Sequence, residues 1–149
     1  MSAVDRVAEV LKEAGLGAHI REFPQGTRTA PEAAAAVGCE VGQICKSLVF
    51  RVGDAPLLVI ASGANRVDEA RFGAVKADAA FVLEHTGFTI GGVPPFGHAR
   101  RIETVVDEDL MAYDVVWAAA GTPRAVFALA PDQLVTLSHA RVERVSPGT

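Results

Sequence analysis

The chain has 149 residues, half of them apolar and 21% charged, a composition that points to one folded domain with a true core and excludes disorder. Fourteen Lys and Arg stand against 18 Asp and Glu, for a formal charge of −4. A body coated in basic residues for binding polyanions is thereby excluded, and any nucleic-acid contact must be local.

The two cysteines, Cys39 and Cys45, make no disulfide framework, and their C-x5-C spacing is neither a usual zinc nor a usual redox pair. They read as free thiols of a reduced compartment. Charge begins at Asp5, unlike a signal peptide. The longest apolar runs, Pro56–Ala61 and Val115–Ala120, fall far short of the roughly 20 residues of a membrane span. A soluble cytoplasmic protein is expected.

In chain order, Ser2 and Asp5 form a helix start, and Val4, Val7, Ala8 and Leu11 then share one helical face, opposite Arg6, Glu9, Lys12 and Glu13. Gly15 and Gly17 end that helix. Ala18–Phe23 is extended up to Pro24. Thr29 and Glu32 make a second capping box, with Pro31 in the first turn, and Ala33–Val37 is helical up to Gly38. Gln43–Val52 and Leu57–Ala61 are strands joined by the turn signal Gly53-Asp54-Ala55-Pro56, an antiparallel hairpin. Ser62–Asn65 is a loop and Val67–Phe72 is helical. Asp78 and Gly87 bracket another short helix.

Phe88–Ile90 is extended, and Gly91–Gly97 fits neither a helix nor a central strand. Ile102–Val106, Val115–Ala119 and Ala125–Leu129 are strand-like, Asp107–Tyr113 is a helical turn, Pro131–Leu137 a helix and Val142–Val145 a last strand. The expected fold is α/β in the α+β sense: a mixed, largely antiparallel sheet, curled or barrel-like, with flanking helices.

G-x-S-x-G, the P-loop, G-x-G-x-x-G and H-E-x-x-H are all missing from the sequence, and His19, His85, His98 and His139 are scattered. No metal site and no cofactor are expected. Lys46 is the most informative residue. Strand alternation puts Ile44, Lys46, Leu48 and Phe50 on one face and Cys45, Ser47, Val49 and Arg51 on the other. A lone cation on an apolar face has two readings. It sits at an edge and snorkels to water, or it stands at the rim of a pocket that takes an anionic ligand.

Gly91–Gly97 also has two readings. It is a turn, or a stiff loop whose glycines offer N–H groups to a carbonyl or phosphate oxygen. Ala119–Pro123 reads as a hairpin turn or as a small-residue pocket wall with the Thr122 hydroxyl. Asn65 and Arg66 meet either water or a ligand.

These pieces, in this order, resemble the YbaK-like family of aminoacyl-tRNA deacylases, whose module is also the editing domain of bacterial prolyl-tRNA synthetases. The matching stretches are Val41–Phe50, Leu58–Gly63, Gly91–Gly97 and Ala119–Thr122. The resemblance implies a domain over residues 1–149 that acts as a free-standing trans-editing hydrolase. It cleaves the ester of a mischarged tRNA without a metal, by positioning the substrate so that a water, the ribose hydroxyl or the substrate thiol attacks.

By the same resemblance the catalytic residues are Lys46, the pocket lysine needed for deacylation, and Gly91, which belongs with Pro95 to the substrate-positioning loop. Gly121 belongs to the late pocket wall. The wider substrate-binding set is Ser47, Ser62, Gly63, Asn65, Gly92, Val93, Pro95, Gly97, Gly121 and Thr122. Lys46 is expected to share a cavity with Gly91, Gly92 and Gly121, and Lys46, Arg66, Arg71, Arg100 and Arg101 to form a basic rim. The alanine-editing branch carries a histidine near Gly121–Arg124, and this chain has none there. Cys-tRNA(Pro) or a related small aminoacyl group is therefore the implied substrate. The implied partners are the acceptor end of the aminoacyl-tRNA and prolyl-tRNA synthetase, which presents the tRNA. The alternative is a non-catalytic module of the same fold that binds an aminoacyl or nucleotide ligand.

Overall fold

The computed structural model describes residues 2–16, 19–27 and 29–147. Gly17 and Ala18, parts of two elements expected above, lie outside the described residues.

Helix α1 spans Ala3–Glu13. Ser2 Oγ accepts the Asp5 N–H at 3.0 Å, and Asp5 Oδ2 accepts the Ser2 N–H at 3.2 Å. Two donors left over by helix geometry are thus satisfied reciprocally. Val7 and Leu11 are the buried face. Strand β1 is only Arg21–Glu22. Helix α2, Ala30–Val37, starts at Thr29, whose Oγ1 accepts the Glu32 N–H at 3.2 Å and donates to Glu32 Oε1 at 2.9 Å.

The strand expected from Gln43 starts at Cys45 instead. Glu40 N–H donates to Gln43 Oε1 at 3.0 Å and Ile44 N–H to Val41 O at 3.1 Å, which winds Val41–Gln43 into a 3-10 turn. Strands β2, Cys45–Val52, and β3, Ala55–Ser62, form the expected antiparallel hairpin, with Lys46 opposite Ala61 and Val52 opposite Ala55. The turn is tighter than expected, because Ala55 and Pro56 already belong to β3. Ile44 O accepts from Gly63 N–H at 2.7 Å, so by antiparallel alternation Arg51 and Pro56 form a pair that exchanges no hydrogen bonds. A proline is tolerated there because no ladder donor is lost.

Helix α3 is shorter than expected, Glu69–Phe72, because Asp68 N–H donates to Val145 O at 2.8 Å and holds the entry extended. Strand β4 is Val75–Lys76 and helix α4 is Ala79–Thr86, capped by Asp78 and closed at Gly87. Phe88–Ile90 does not extend into a strand. Gly92 N–H donates to Thr89 O at 3.0 Å and turns the chain there. The remaining elements are β5 Glu103–Asp107, a 3-10 turn Glu108–Ala112, β6 Val116–Ala119, β7 Ala125–Leu129, α5 Pro131–Ser138 and β8 Arg141–Glu143.

The strands form two sheets, in the orders β1-β7-β6 and β4-β2-β3-β5-β8. Pairs β3–β5 and β5–β8 are parallel, and the other four are antiparallel. The mixed α/β fold is therefore the expected one, but the sheet does not close into a barrel. Among the described residues, one isolated parallel bridge, Ile44 to Trp117, links the residue preceding β2 to β6 of the other sheet. The larger core fills the space between sheets and helices, with Leu11, Leu58, Ile60, Val106, Leu110 and Phe127. A smaller core on the opposite face of the five-stranded sheet holds Phe50, Val59, Ala61 and Val105. β3 is buried on both faces, which explains its unbroken Leu57-Leu58-Val59-Ile60-Ala61 run. No helix among the described residues is long and apolar enough to cross a membrane.

Candidate functional site

The sheet arrangement leaves part of the β2 edge open. β4 pairs only with Phe50 and Arg51, so the edge of β2 from Cys45 to Val49 has no neighbour of its own sheet. Backbone groups of Ser47 face that edge, by the same alternation that points Val49 O toward Ala77 N–H. A cavity of about 660 Å³ runs along it. That size lies within the range of small-ligand sites, roughly 300–1,000 Å³. Its walls are the start of α2, the Trp117–Ala119 end of β6 and the Ile90–Val93 loop.

Lys46 lies at the heart of this wall. It is half-buried beside Leu48, with the Phe50 core behind. Its Nζ donates to the backbone oxygen of Asn65. No carboxylate among the described residues comes within ion-pair distance of it. Burial pushes the ammonium below the ordinary lysine range, and the negative charge of Asp107 opposes that shift.

Asp107 organises the loop that Lys46 touches. It is fully buried at the end of β5. One oxygen accepts from Ser62 N–H at 2.9 Å and from Asn65 Nδ2 at 2.9 Å, and the other from Asp109 N–H at 2.9 Å. Asn65 Nδ2 also donates to Asp109 Oδ2 at 2.7 Å. Asn65 therefore has its side chain fixed by two carboxylates while its carbonyl receives the lysine. Ser62 Oγ donates to Gly42 O at 2.8 Å, which ties the same loop to the 3-10 turn. Sequence reasoning did not single out Asp107 as a site residue. It read Asp107 only as the start of a helical turn, and the Asp109 contact does make it a cap.

Cys45 and Ser47 also line the cavity. The Cys45 thiol is buried, and desolvation, reinforced by Asp107, pushes its pKa far above the usual cysteine value. It is a neutral thiol at physiological pH and not an activated nucleophile. The Ser47 hydroxyl is buried without a hydrogen-bond partner among the described residues. A buried hydroxyl left in that state is costly.

The structure brings together Lys46, Ser47, Gly63, Gly91 and Val93 around this cavity, and places other predicted positions behind it. A Cβ on Gly63 would lie 2.4 Å from Val41 O and 2.8 Å from Ala30 Cβ, so only glycine lets β3 meet α2 here. Gly91 has φ 90°, so its need for glycine is conformational before it is a matter of room for a substrate.

Gly92 and Gly121 do not line the cavity. They pack backbone against backbone, a Gly92 Cβ lying 2.6 Å from Gly121 O, and a Gly121 Cβ would meet Ala3 O at 2.7 Å. Thr122 Oγ1 accepts from Arg124 N–H at 3.2 Å within its own turn. Ser62 and Asn65 support the site through the Asp107 network. Pro95 and Gly97 border a second cavity.

The expected basic rim is also divided. Lys46 and Arg66 line the first cavity, joined by Lys76. Arg71 pairs with Glu143 at 3.4 Å, and Arg100 and Arg101 line the second cavity. Among the described residues, no group of three or more His, Cys, Asp or Glu is arranged to hold a metal ion.

Residues 24–137 match the family model of the aminoacyl-tRNA editing domain. Uncharacterized protein YwhH of Bacillus subtilis (strain 168) is 34% identical over 130 residues, covering 83% of each chain. "Putative Cys-tRNA(Pro)/Cys-tRNA(Cys) deacylase EbsC" of Enterococcus faecalis (strain ATCC 700802 / V583) is 24% identical over 127 residues, covering 79% of this chain and 77% of its own. A crystal structure described as that of "a putative trans-editing enzyme for prolyl tRNA synthetase" has a TM-score of 0.91 at 44% identity, covering 99% of each chain.

Proposed function

The chain belongs to the aminoacyl-tRNA editing domain family, and from that membership we propose that it hydrolyses mischarged aminoacyl-tRNA in trans. The observation that carries this reading is Lys46: a half-buried ammonium on a cavity wall, bonded to a backbone carbonyl, with no carboxylate paired to it among the described residues. Such a charge is poised for an anionic or strongly polarised oxygen. In the proposed step the aminoacyl group enters the cavity. Lys46 holds the ester carbonyl or an adjacent phosphate, and the Gly91 segment limits how the ester lies. Water adds to the acyl carbon, the bond to the ribose oxygen breaks, and the proton passes to that oxygen. Free amino acid and free tRNA result.

The proposed mechanism uses no metal, and the Asp107 network acts only by holding Lys46 in place. The proposed substrate is Cys-tRNA(Pro) or a related small aminoacyl-tRNA, with prolyl-tRNA synthetase as the partner that presents it. The names borne by EbsC and by the solved neighbour support that choice. The test is a deacylation panel with cysteine, alanine and serine on tRNA(Pro), beside correctly charged controls. Selective hydrolysis of one mischarged species is expected. Binding of charged tRNA with no hydrolysis of any of them would instead favour a non-catalytic module.

A further inference from the structure

The second cavity, about 700 Å³, is bordered by the starts of β5 and β8, the end of α5 and the Pro95–Arg101 segment. It sits at the other end of the five-stranded sheet from Lys46. Glu103 is opposite Leu57, whereas Lys46 is opposite Ala61. Four residues of β3 separate those levels, about 13 Å at roughly 3.3 Å per residue.

Its charge is uneven for a chain of net charge −4. Arg100, Arg101 and Arg141 border it, with His98, His139 and the single carboxylate Glu103. Glu103 is already engaged, accepting from Arg141 Nη1 at 3.1 Å, and Glu143 accepts from Arg141 Nε. Arg141 is thereby held in place, while Arg100 and Arg101 have no carboxylate within ion-pair distance among the described residues. His98 donates Nε2–H to Pro94 O at 2.6 Å, and its burial lowers its pKa despite that bond. Phe96 and Ile102 give the cavity an apolar floor.

We propose that this second cavity is a phosphate-binding cleft that takes backbone phosphates of the RNA whose aminoacylated end enters the first cavity. The inference rests on the function proposed above. Unpaired guanidinium groups suit it, because their planar fork matches a phosphate in two-point hydrogen bonding. The Pro95–Arg101 segment leads directly from the Gly91–Val93 wall of the first cavity. Gly92–Phe96 is buried, so the RNA strand would pass over the surface that covers it, with its end at Lys46 and earlier phosphates at the exposed Arg100 and Arg101.

The test compares the parent with Arg100→Gln/Arg101→Gln, and uses Lys12→Gln, which lines neither cavity, as a control. Binding of uncharged, labelled tRNA is followed by fluorescence anisotropy across a salt series. Single-turnover deacylation is measured at saturating protein. Losing two phosphate contacts should weaken binding at low salt by on the order of tenfold and reduce the slope of log K against log salt by about 1.4–1.8. The saturated deacylation rate should stay at the parent value.

Parent-like affinity and slope in the double variant would overturn the cleft. So would displacement of inorganic phosphate or 5′-AMP by the double substitution with tRNA binding intact, which would make it a site for free anions. A parent that binds tRNA through these arginines yet hydrolyses no mischarged species would sink the proposed function and leave the cleft standing.

Discussion

Replacing Lys46 with methionine is the most direct perturbation of the site. Methionine keeps an unbranched apolar stem beside Leu48 and deletes only the ammonium. That charge has a carbonyl partner and no ion pair among the described residues, and burial already disfavours it, so the apo protein loses little. The Asn65 carbonyl loses one donor, a change of about 1 kcal/mol. For a chain near 150 residues that corresponds to a shift of roughly 2–4 °C in Tm. In the transition state the loss is larger, because the oxygen that takes up charge no longer has a cationic donor. A hydrogen bond to a charged group contributes about 1.5–3 kcal/mol, and each 1.36 kcal/mol is about tenfold in rate. Single-turnover deacylation should therefore fall by at least about tenfold and up to somewhat more than a hundredfold, while the melt moves by no more than those few degrees. Hydrolysis at the parent rate by folded Lys46→Met would refute the reasoning and leave Lys46 a snorkelling strand lysine. A rate loss that tracks unfolding would refute it too.

Asp107→Asn should both loosen and slow the protein. An amide cannot accept from Ser62, Asn65 and Asp109 together as the carboxylate does, so a cost of about 1–3 kcal/mol in urea unfolding is expected, with a lower kcat at unchanged KM. Gly63→Ala places a methyl 2.4 Å from Val41 O. It should destabilise by about 1–3 kcal/mol and displace the cavity wall at Ala30 and Ile44, which a weaker affinity for charged tRNA would report. The deacylation rate, corrected for alkaline ester hydrolysis, should decline as pH rises toward, but before, the ordinary lysine value of about 10.4, because burial lowers the Lys46 pKa. The sign for stability is opposite. The buried ammonium opposes folding below its folded pKa, and that cost fades as pH rises through the unfolded value, so this group does not unfold the protein on the alkaline side. The alkaline decline should be missing in Lys46→Met, and its persistence there would assign it to another group.

Local chemistry made much of the fold legible in the sequence. The Ser2–Asp5 and Thr29–Glu32 caps, the Asp78–Gly87 helix and the β2–β3 hairpin depend on contacts within a few residues, and those residue types encode them directly. Lys46 stood out for the same reason, since strand alternation alone makes a cation on an apolar face conspicuous. The parallel pairing of β3 with β5, and of β5 with β8, was not legible, because nothing near a strand in sequence names a distant neighbour. That pairing carries Asp107 beneath the loop of Ser62 and Asn65, 45 and 42 residues away in the chain, and so creates the network that positions Lys46. Tertiary packing also decided which glycines line the cavity. Gly91 and Gly121 look alike in sequence, but Gly91 borders the open edge of β2 while Gly121 is pressed against the start of α1. Residue type gives a glycine its freedom, and only the packing of distant segments determines whether that freedom faces a ligand or another backbone.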